Sequence, residues 1–366
     1  MNLLRAFTDV IAPVRRNLIW FLLATYVLAA LLPGPGEALR RVNLGELPFS
    51  SETFNPTHLL LAILLFCVGV SIRSDEARNV WRLTHTVLGS LLGSWFVPTL
   101  ALLLMGVTNW CGVSGTAWES FLLGAILVVA MPPANSSSVW SELSGGRAAA
   151  TVTVIILGTL LTPLIAPLIV GFFSRIVGAA GVEIPPSTDS LLEVLFAFVM
   201  LPAALGVAVR SLLDATLARW IDPLMELTKS VALVSLLILN YGNAATAMPQ
   251  LTSARFPANA LLVVVLTMFL SVLVFGIALA VSQAAGLRGQ GARLSFVYVT
   301  GMKNTGAALV LASSLLSDRP LAILVPVIYT LSQHLAAAIL DRLAAVRRTQ
   351  SLTLMPEVDQ ASTPSY

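Results

Sequence analysis

Lys303 is the residue in this sequence with the clearest capacity for chemistry. It lies within the apolar segment 293–316, ten residues after Arg293 and fifteen before Asp318, and therefore close to the middle of that segment. If the segment crosses a membrane, a cation at its centre costs roughly 2.5–3.5 kcal/mol on insertion scales, so an ionisable group there is a functional candidate by default. The alternative is a structural role, in which Lys303 only satisfies carbonyl groups or neutralises a partner.

Two segments of the chain favour a break in a helix. Lys303, Asn304 and Thr305 stand between Gly301 and Gly306, and a second polar run, Met131-Pro132-Pro133-Ala134-Asn135-Ser136-Ser137-Ser138, places Asn135 169 residues before Asn304. Adjacent prolines remove two backbone donors, and glycines let a chain leave helical geometry. Because unwound backbone inside a membrane is stable only in a cavity or within protein, such breaks usually mark a binding site. The alternative is a pair of ordinary kinks.

Lys303 has no obvious counter-ion in the sequence, since no acidic residue lies near the centre of an apolar segment. Its predicted partners are the side chain of Asn135, the hydroxyls of Ser136, Ser137 and Ser138, helix C-terminal carbonyls or an anionic substrate. The N-termini of the two half-helices add positive potential at the same place. His334 is the other titratable group at depth, and the sequence leaves open whether it packs or binds a ligand.

The elements that must position these residues are membrane-spanning helices. Of the 366 residues 57% are hydrophobic and 11% charged, and the mean hydropathy is +0.88. A spanning helix needs roughly 20 mostly apolar residues. The first such segment follows Arg15 and Arg16 and also fits a signal peptide, which would leave nine spans. The sequence predicts an all-α membrane protein without a soluble domain, with ten transmembrane helices at about 17–33, 57–72, 84–107, 119–141, 149–172, 189–210, 227–242, 257–283, 293–316 and 320–341.

The distribution of Lys and Arg predicts the orientation of these helices. With a cytoplasmic N-terminus, the inside segments carry 15 of the 21 basic residues and the outside segments five, while Lys303 lies within a span. This bias favours both termini in the cytoplasm of a multi-pass protein, which we expect in the bacterial inner (cell) membrane. Cys67 and Cys111 form no disulfide or metal pattern. The polar tail 347–366 is predicted to be a disordered cytoplasmic segment.

The ten segments repeat as two sets of five. Segments one to five begin about 170 residues before segments six to ten, in the same order. Because five is odd, the second half must cross the membrane in the opposite sense, as an inverted repeat. The sequence predicts a first inverted repeat over 1–175 and a second over 176–346, with the two breaks in the equivalent helices four and nine.

At these residues the chain resembles the bile acid:sodium symporter family, over roughly residues 15–342. The resemblance implies ten helices in two inverted five-helix repeats, with the panel domain, core domain and broken crossing helices of a sodium/proton-antiporter-like fold. The motifs that carry it match the family's second, fourth, sixth, ninth and tenth helices: Phe66-Cys67-Val68-Gly69-Val70 with Asp75; Pro132 to Leu143; Val199-Met200-Leu201-Pro202-Ala203-Ala204-Leu205-Gly206; Gly301-Met302-Lys303-Asn304-Thr305-Gly306-Ala307; and Val325-Pro326 with His334.

The chain departs from the family at the residues that hold sodium. In comparison with members that bind two sodium ions, Val299 replaces an acidic residue, Lys303 an uncharged amide and Gly93 a glutamine. Ser137-Ser138 replaces a Ser-Asn pair, and Ile155 stands where the family has a threonine, although Thr151 retains a hydroxyl. A sodium ion needs several oxygen ligands, preferably with a carboxylate. We therefore expect no cofactor and no metal, and a sodium ion only if its ligands are non-standard.

The predicted function is secondary active transport of a small organic anion, not coupled to sodium. Transport would be proton-coupled, or it would be uniport or exchange with Lys303 charged. The alternatives are a sodium symporter with non-standard sites and a non-transporting receptor or sensor. An arsenite carrier is disfavoured, because it would need a thiol in the broken helices. An enzyme is not expected, because no nucleophile with a base lies at matching depth. The expected partners are the organic anion and the lipid bilayer. Nucleic acid is not an expected partner, and the protein is expected to be a monomer or a homodimer.

Overall fold

The computed structural model of the chain describes residues 18–46, 53–71, 85–108, 115–178, 188–216, 221–252, 257–287, 289–316 and 318–353. Asp75 and Cys111 lie outside these residues. A short antiparallel hairpin pairs β1 (Gly45–Glu46) with β2 (Thr53–Phe54). The helices are α1 (Leu18–Leu31), α2 (Pro33–Arg41), α3 (Pro56–Ser71), α4 (His85–Thr108), α5 (Thr116–Ala130), α6 (Ser136–Leu143), α7 (Ala148–Gly178), α8 (Thr188–Leu195) with a π-helical turn (Phe196–Met200), α9 (Leu201–Thr216), α10 (Ile221–Thr252), α11 (Pro257–Ala284), α12 (Gln290–Gly301), α13 (Thr305–Leu315) and α14 (Pro320–Thr353).

Among the described residues, six helices are long and apolar enough to cross a membrane, or seven spans if the bent pair α1 and α2 counts as one. The helices α3, α5 and α13 are apolar but shorter. Large apolar side chains such as Trp20, Phe96 and Leu164 remain exposed on the helix surfaces, where lipid can cover them. The protein is therefore a predominantly α-helical, integral multi-pass membrane protein. Each of the ten predicted segments contains helix, but the count of ten spans stays a prediction.

The chain bends by 89° between Trp20–Leu31 and Pro33–Arg41. The helix that follows this bend, α2, is not among the segments predicted from the sequence. Pro33 is the first residue of α2. Proline lacks the N–H that would continue α1, and its fixed φ suits the first turn of a new helix.

The last helix extends further than the sequence indicates. The polar tail is predicted to begin at residue 347, yet α14 continues to Thr353. No proline or glycine occurs between Pro326 and Pro356, so the chain has no strong helix-breaking residue in that stretch. Residues 354–366 lie outside the described part of the chain.

The helices pack in two groups. The first group is α1, α2, α3, α9 and α10, and the second is α4 to α7 with α11 to α14. In the first group Gly69 and Gly206 face each other, and a Cβ on either would collide with the backbone of the opposite helix. In the second group Gly124 of α5 lies against the carbonyl of Ala322 on α14. Small residues at such crossings let membrane helices approach closely.

Candidate functional site

The two helix breaks lie against each other within the second group. Residues 131–135 separate α5 from α6, and residues 302–304 separate α12 from α13. Pro133 and Lys303 pair as an isolated antiparallel bridge. Two hydrogen bonds join the breaks: the N–H of Ala134 donates to the carbonyl of Met302 at 2.9 Å, and the N–H of Asn304 donates to the carbonyl of Pro132 at 2.8 Å. The unwound segments therefore satisfy each other's backbone groups, which lipid could not do.

Neighbouring helices fit closely around the breaks. Pro133 packs on α7 at Gly158, where a Cβ would lie 2.8 Å from the proline ring. Gly301 ends α12 against Phe275, and a Cβ at this glycine would lie 2.6 Å from the ring. Pro132, Pro133 and Gly301 thus stand where the helices end, and Gly158 and Gly301 permit this packing.

The side chain of Lys303 is fully buried. Its ammonium donates to the carbonyl oxygen of Ser94 on α4, at 2.8 Å. It also lies 5.9 Å from the centre of the Trp95 ring, within range of a cation–π attraction. Among the described residues, the ion pairs with carboxylates do not include Lys303. The side-chain nitrogen of Lys303 is therefore placed by a backbone carbonyl and an aromatic ring.

The carbonyl of Ser94 is free to accept from Lys303 because of Pro98. In an α-helix the carbonyl of residue 94 accepts from the N–H of residue 98. Pro98 lies inside α4 and has no N–H, so the carbonyl of Ser94 loses its donor within the helix. The Lys303 ammonium supplies the missing hydrogen bond. The signal in the sequence is a proline four residues after the acceptor, but the sequence does not say which side chain reaches that acceptor.

In the structure the Lys303 ammonium does not hydrogen-bond the side chains of the first break, which the sequence gives as one of several possible partners. The hydroxyls of Ser137 and Ser138 donate to the carbonyls of Ala134 (2.6 Å) and Asn135 (2.8 Å), within their own turn. Asn135 begins α6 without a side-chain capping bond, and Ser136, like Asn135, is half-buried. The ammonium instead hydrogen-bonds the carbonyl of Ser94, because the Lys303 side chain extends to α4.

Gln333 of α14 holds the backbone of Lys303. Its Oε1 accepts from the N–H of Lys303 at 2.8 Å, and its Nε2 donates to the carbonyl of Lys303 at 3.3 Å. The adjacent residue, His334, is a predicted site residue, whereas Gln333 is not predicted from the sequence. Successive residues of a helix point about 100° apart, and only packing decides which of them faces the break.

The remaining predicted residues near the crossing have partners of their own. Asn304 caps α13, since its Oδ1 accepts from the backbone N–H three residues later at 3.2 Å. The hydroxyls of Thr305 and Thr330 lie 2.7 Å apart. His334 accepts on Nδ1 from the indole N–H of Trp140 at 3.2 Å. This contact joins α14 to α6.

Thr151 belongs to a separate cluster of hydroxyl groups. Its hydroxyl donates to that of Ser141 at 3.0 Å, and Ser141 lies 2.9 Å from Ser295. In the same region the Ser144 hydroxyl donates to the carboxylate of Asp341 at 2.8 Å. These contacts join α6, α7, α12 and α14, and none of them involves Lys303.

Two positions near the ammonium, Gly93 and Val299, are packed by apolar groups. A Cβ at Gly93 would lie 2.7 Å from the ring of Phe296, so that ring fills the space in which a longer side chain would begin. Val299 packs in an apolar cluster with Trp95. The hydroxyl of Thr300 is buried and has no hydrogen-bond partner among the described residues. Within the same residues, no three His, Cys, Asp or Glu side chains are grouped to hold a metal ion.

Broken helices that meet inside a bundle of apolar helices are typical of secondary transporters. The chain belongs to the Sodium Bile acid symporter family, whose model matches residues 58–254. The matched region begins in α3 and extends just past α10. It therefore includes the first break, while the second break lies beyond it.

Two proteins of Bacillus subtilis (strain 168) are similar to the chain. The first, named "Uncharacterized sodium-dependent transporter YocS", is 25% identical over 182 residues, 49% of this chain and 53% of that protein. The second, named "Uncharacterized protein YbaS", is 24% identical over 225 residues, 60% of this chain and 67% of that protein. The chain thus spans about half the length of the first relative and about two thirds of the second.

Proposed function

We propose that this protein is a secondary active transporter of a small organic anion, in which the ammonium of Lys303 takes the place of a bound cation at the crossing of the broken helices. The observation that carries this proposal is the fully buried ammonium 2.8 Å from the carbonyl of Ser94. Membership of a symporter family supports transport. The positive charge and the two half-helix N-termini favour an anionic substrate.

Transport in this proposal does not depend on sodium. The apolar packing of Val299 and the Phe296 ring beside Gly93 leave two family sodium-ligand positions without a polar side chain. Either Lys303 exchanges its proton during the cycle and couples transport to protons, or it stays charged and the protein is a uniporter or exchanger. Substrate loading would bring a carboxylate to the crossing in both cases.

The proposal includes ten spans in two inverted repeats, 1–175 and 176–346, with both termini in the cytoplasm of a bacterial cell. Contacts between helices support the repeat because they occur in exchanged pairs: α1 packs on α10 as α9 packs on α3, and α4 packs on α12 as α11 packs on α5. The first helix group would be the panel domain and the second the core domain. The positive-inside bias supports the orientation.

The second candidate is a sodium symporter with non-standard sites. The name of the relative YocS, a sodium-dependent transporter, favours it. In that case hydroxyl and carbonyl oxygens near the crossing would replace the missing carboxylate. Flux measured with and without sodium separates the two candidates.

Binding is tested first, by thermal unfolding of the purified protein with bile acids and with small mono- and dicarboxylates. We expect at least one of these anions to raise the Tm of the wild type, because a ligand stabilises the state that it binds. Lys303→Gln should lose this shift. Lys229→Gln should keep it, and it is the matched control because Lys229 is the other lysine of the chain and pairs with Glu226 on the surface, at 3.1 Å.

Flux is tested next, with the anion that gives the largest shift, in proteoliposomes. We expect the same rate of uptake in sodium and in potassium buffer. A pH gradient should change the rate if the transport is proton-coupled. Uptake that requires sodium would refute the proposal in favour of the second candidate, and binding without uptake would point to a receptor.

A further inference from the structure

We infer that Arg40 and His58 form a latch with Ser313 and Ser314, which closes one end of the interface between the two helix groups. Arg40 donates to the carbonyl of Ser313 at 2.6 Å, and Nε2 of His58 lies 3.2 Å from the hydroxyl of Ser314. These contacts join residues 273 and 256 positions apart in the sequence. The inference rests on the proposed transport function, in which such an interface opens and closes.

Arg40 is carried by the first helix group. The hydroxyl of Tyr241 on α10 donates to the carbonyl of Leu32 at 2.7 Å, at the start of α2. Gly36 of α2 lies so close to Ala245 of α10 that a Cβ would collide with it. His58 belongs to α3 of the same group. Ser313 and Ser314 lie at the end of α13 in the second group, so both latch contacts cross from one group to the other.

The bond of Arg40 suits a contact that forms and breaks. Ser313 lies in the last turn of α13, where carbonyls have no partner within the helix and a cation is favourable for the helix dipole. The carboxylate of Glu37, one turn before Arg40, pairs with Arg41 at 2.8 Å. The Nε of Arg40 is buried without a hydrogen-bond partner among the described residues. Among the described residues, the hydrogen bond of the Arg40 guanidinium is therefore to a neutral acceptor and not to a carboxylate.

Further along the same helices, the interface between the two helix groups is an apolar cleft. A narrow cleft separates Val68 and Gly69 of α3 from helix α7 of the second group; its other lining residues are Ile155, Ile156, Thr159, Leu160, Ala203 and Val207. Val68 follows His58 by ten residues, or about 15 Å along the helix. Thr159 has the only polar side chain of this lining, and its hydroxyl donates to a carbonyl of its own helix. The two groups are thus joined by polar bonds at the Arg40 end and face each other across an apolar cleft further along.

The latch predicts that its removal opens the interface near α13. Leu61 lies one turn beyond His58 on α3 and is 1% exposed, so a cysteine there reports on opening. The test measures alkylation of Leu61→Cys by a water-soluble maleimide, in lipid nanodiscs, with Cys67→Ser and Cys111→Ser. We expect the added pair Arg40→Gln and His58→Gln to speed alkylation roughly tenfold, as the loss of two hydrogen bonds allows. Arg41→Gln is the control, because the Arg41 side chain is 80% exposed on the same helix.

A second measurement separates opening from loss of the fold. The native Cys67 is buried beside Val68 of the apolar cleft, and its alkylation is measured with Leu61 intact and Cys111→Ser. Opening at the Arg40 end should leave this rate unchanged or lower it. Equal rates at Leu61→Cys with and without the latch would overturn the inference, and so would faster alkylation at both positions. Neither measurement uses a substrate, so a failure of the proposed function would be seen separately, in the binding and flux experiments.

Discussion

The ammonium of Lys303 lies 2.8 Å from the carbonyl of Ser94, the acceptor that Pro98 deprives of its helical donor. A buried cation and an unpaired buried carbonyl are each costly in a membrane. Together they satisfy each other, and the bond ties α4 to the break between α12 and α13. A side-chain amine is thus built into the chain at the crossing, and its removal has consequences that can be measured without knowing the substrate.

Lys303→Ala should destabilise the protein, because it leaves the Ser94 carbonyl unpaired and a cavity beside Trp95. We expect a loss of about 2–4 kcal/mol in the free energy of unfolding. Methylammonium should restore part of the Tm of this variant, since it brings the same donor to the same acceptor, and it should not change the Tm of the wild type. Lys229→Ala is the control for the loss of charge. A variant as stable as the wild type, or one that methylammonium does not stabilise, would contradict the bond to Ser94.

Pro98→Ala should have opposite effects with and without Lys303. In the wild type, Pro98→Ala should be destabilising, because alanine restores an N–H at position 98 that competes with the ammonium for the Ser94 carbonyl. In Lys303→Ala the same N–H satisfies an otherwise unpaired carbonyl, so Pro98→Ala should be stabilising there. The double-mutant cycle in thermal unfolding should give a coupling of about 0.5–3 kcal/mol. Pro163→Ala in α7 is the control, and additivity of Pro98→Ala with Lys303→Ala would refute the pairing.

The sequence predicts the breaks well because their causes are local. Two adjacent prolines remove two helical N–H donors and a pair of glycines favours a helix end, and Lys303 lies near the middle of its segment by simple counting from Arg293. The bond to Ser94 depends on packing, because α4 must be placed beside the second break before a lysine can reach it. Thr151 illustrates the same limit, since its hydroxyl lies in a cluster with Ser141 that no spacing indicates.

Helix packing also decides whether replacing a glycine by alanine stabilises or destabilises the protein. Two glycines of α4 should therefore give opposite changes in stability. A Cβ at Gly93 would lie 2.7 Å from the Phe296 ring, whereas at Gly89 nothing lies within 4 Å. Gly93→Ala should therefore destabilise by about 1–3 kcal/mol through overpacking. Gly89→Ala should stabilise by about 0.5–1 kcal/mol, because alanine is the better helix former. Thermal unfolding of the two variants measures the difference, and equal shifts would show that Phe296 yields without cost.

Gln333 should position the second break through the backbone of Lys303. Gln333→Leu removes both hydrogen bonds of the amide and leaves the buried N–H of Lys303 unpaired, at a cost of about 1–3 kcal/mol. The Lys303 carbonyl keeps a second donor, the N–H of Thr305 at 2.8 Å. Ser332→Ala is the control on the same helix, since its hydroxyl donates only to the carbonyl of Ile328. Stability alone would not separate positioning from packing, so hydrogen exchange of the peptide 302–306 is the deciding measurement. We expect exchange at the Lys303 amide to rise in Gln333→Leu and to stay at the wild-type rate in Ser332→Ala. Unchanged exchange in Gln333→Leu, with a lowered Tm, would mean that Gln333 only packs α14 and that the Lys303 amide is protected without it.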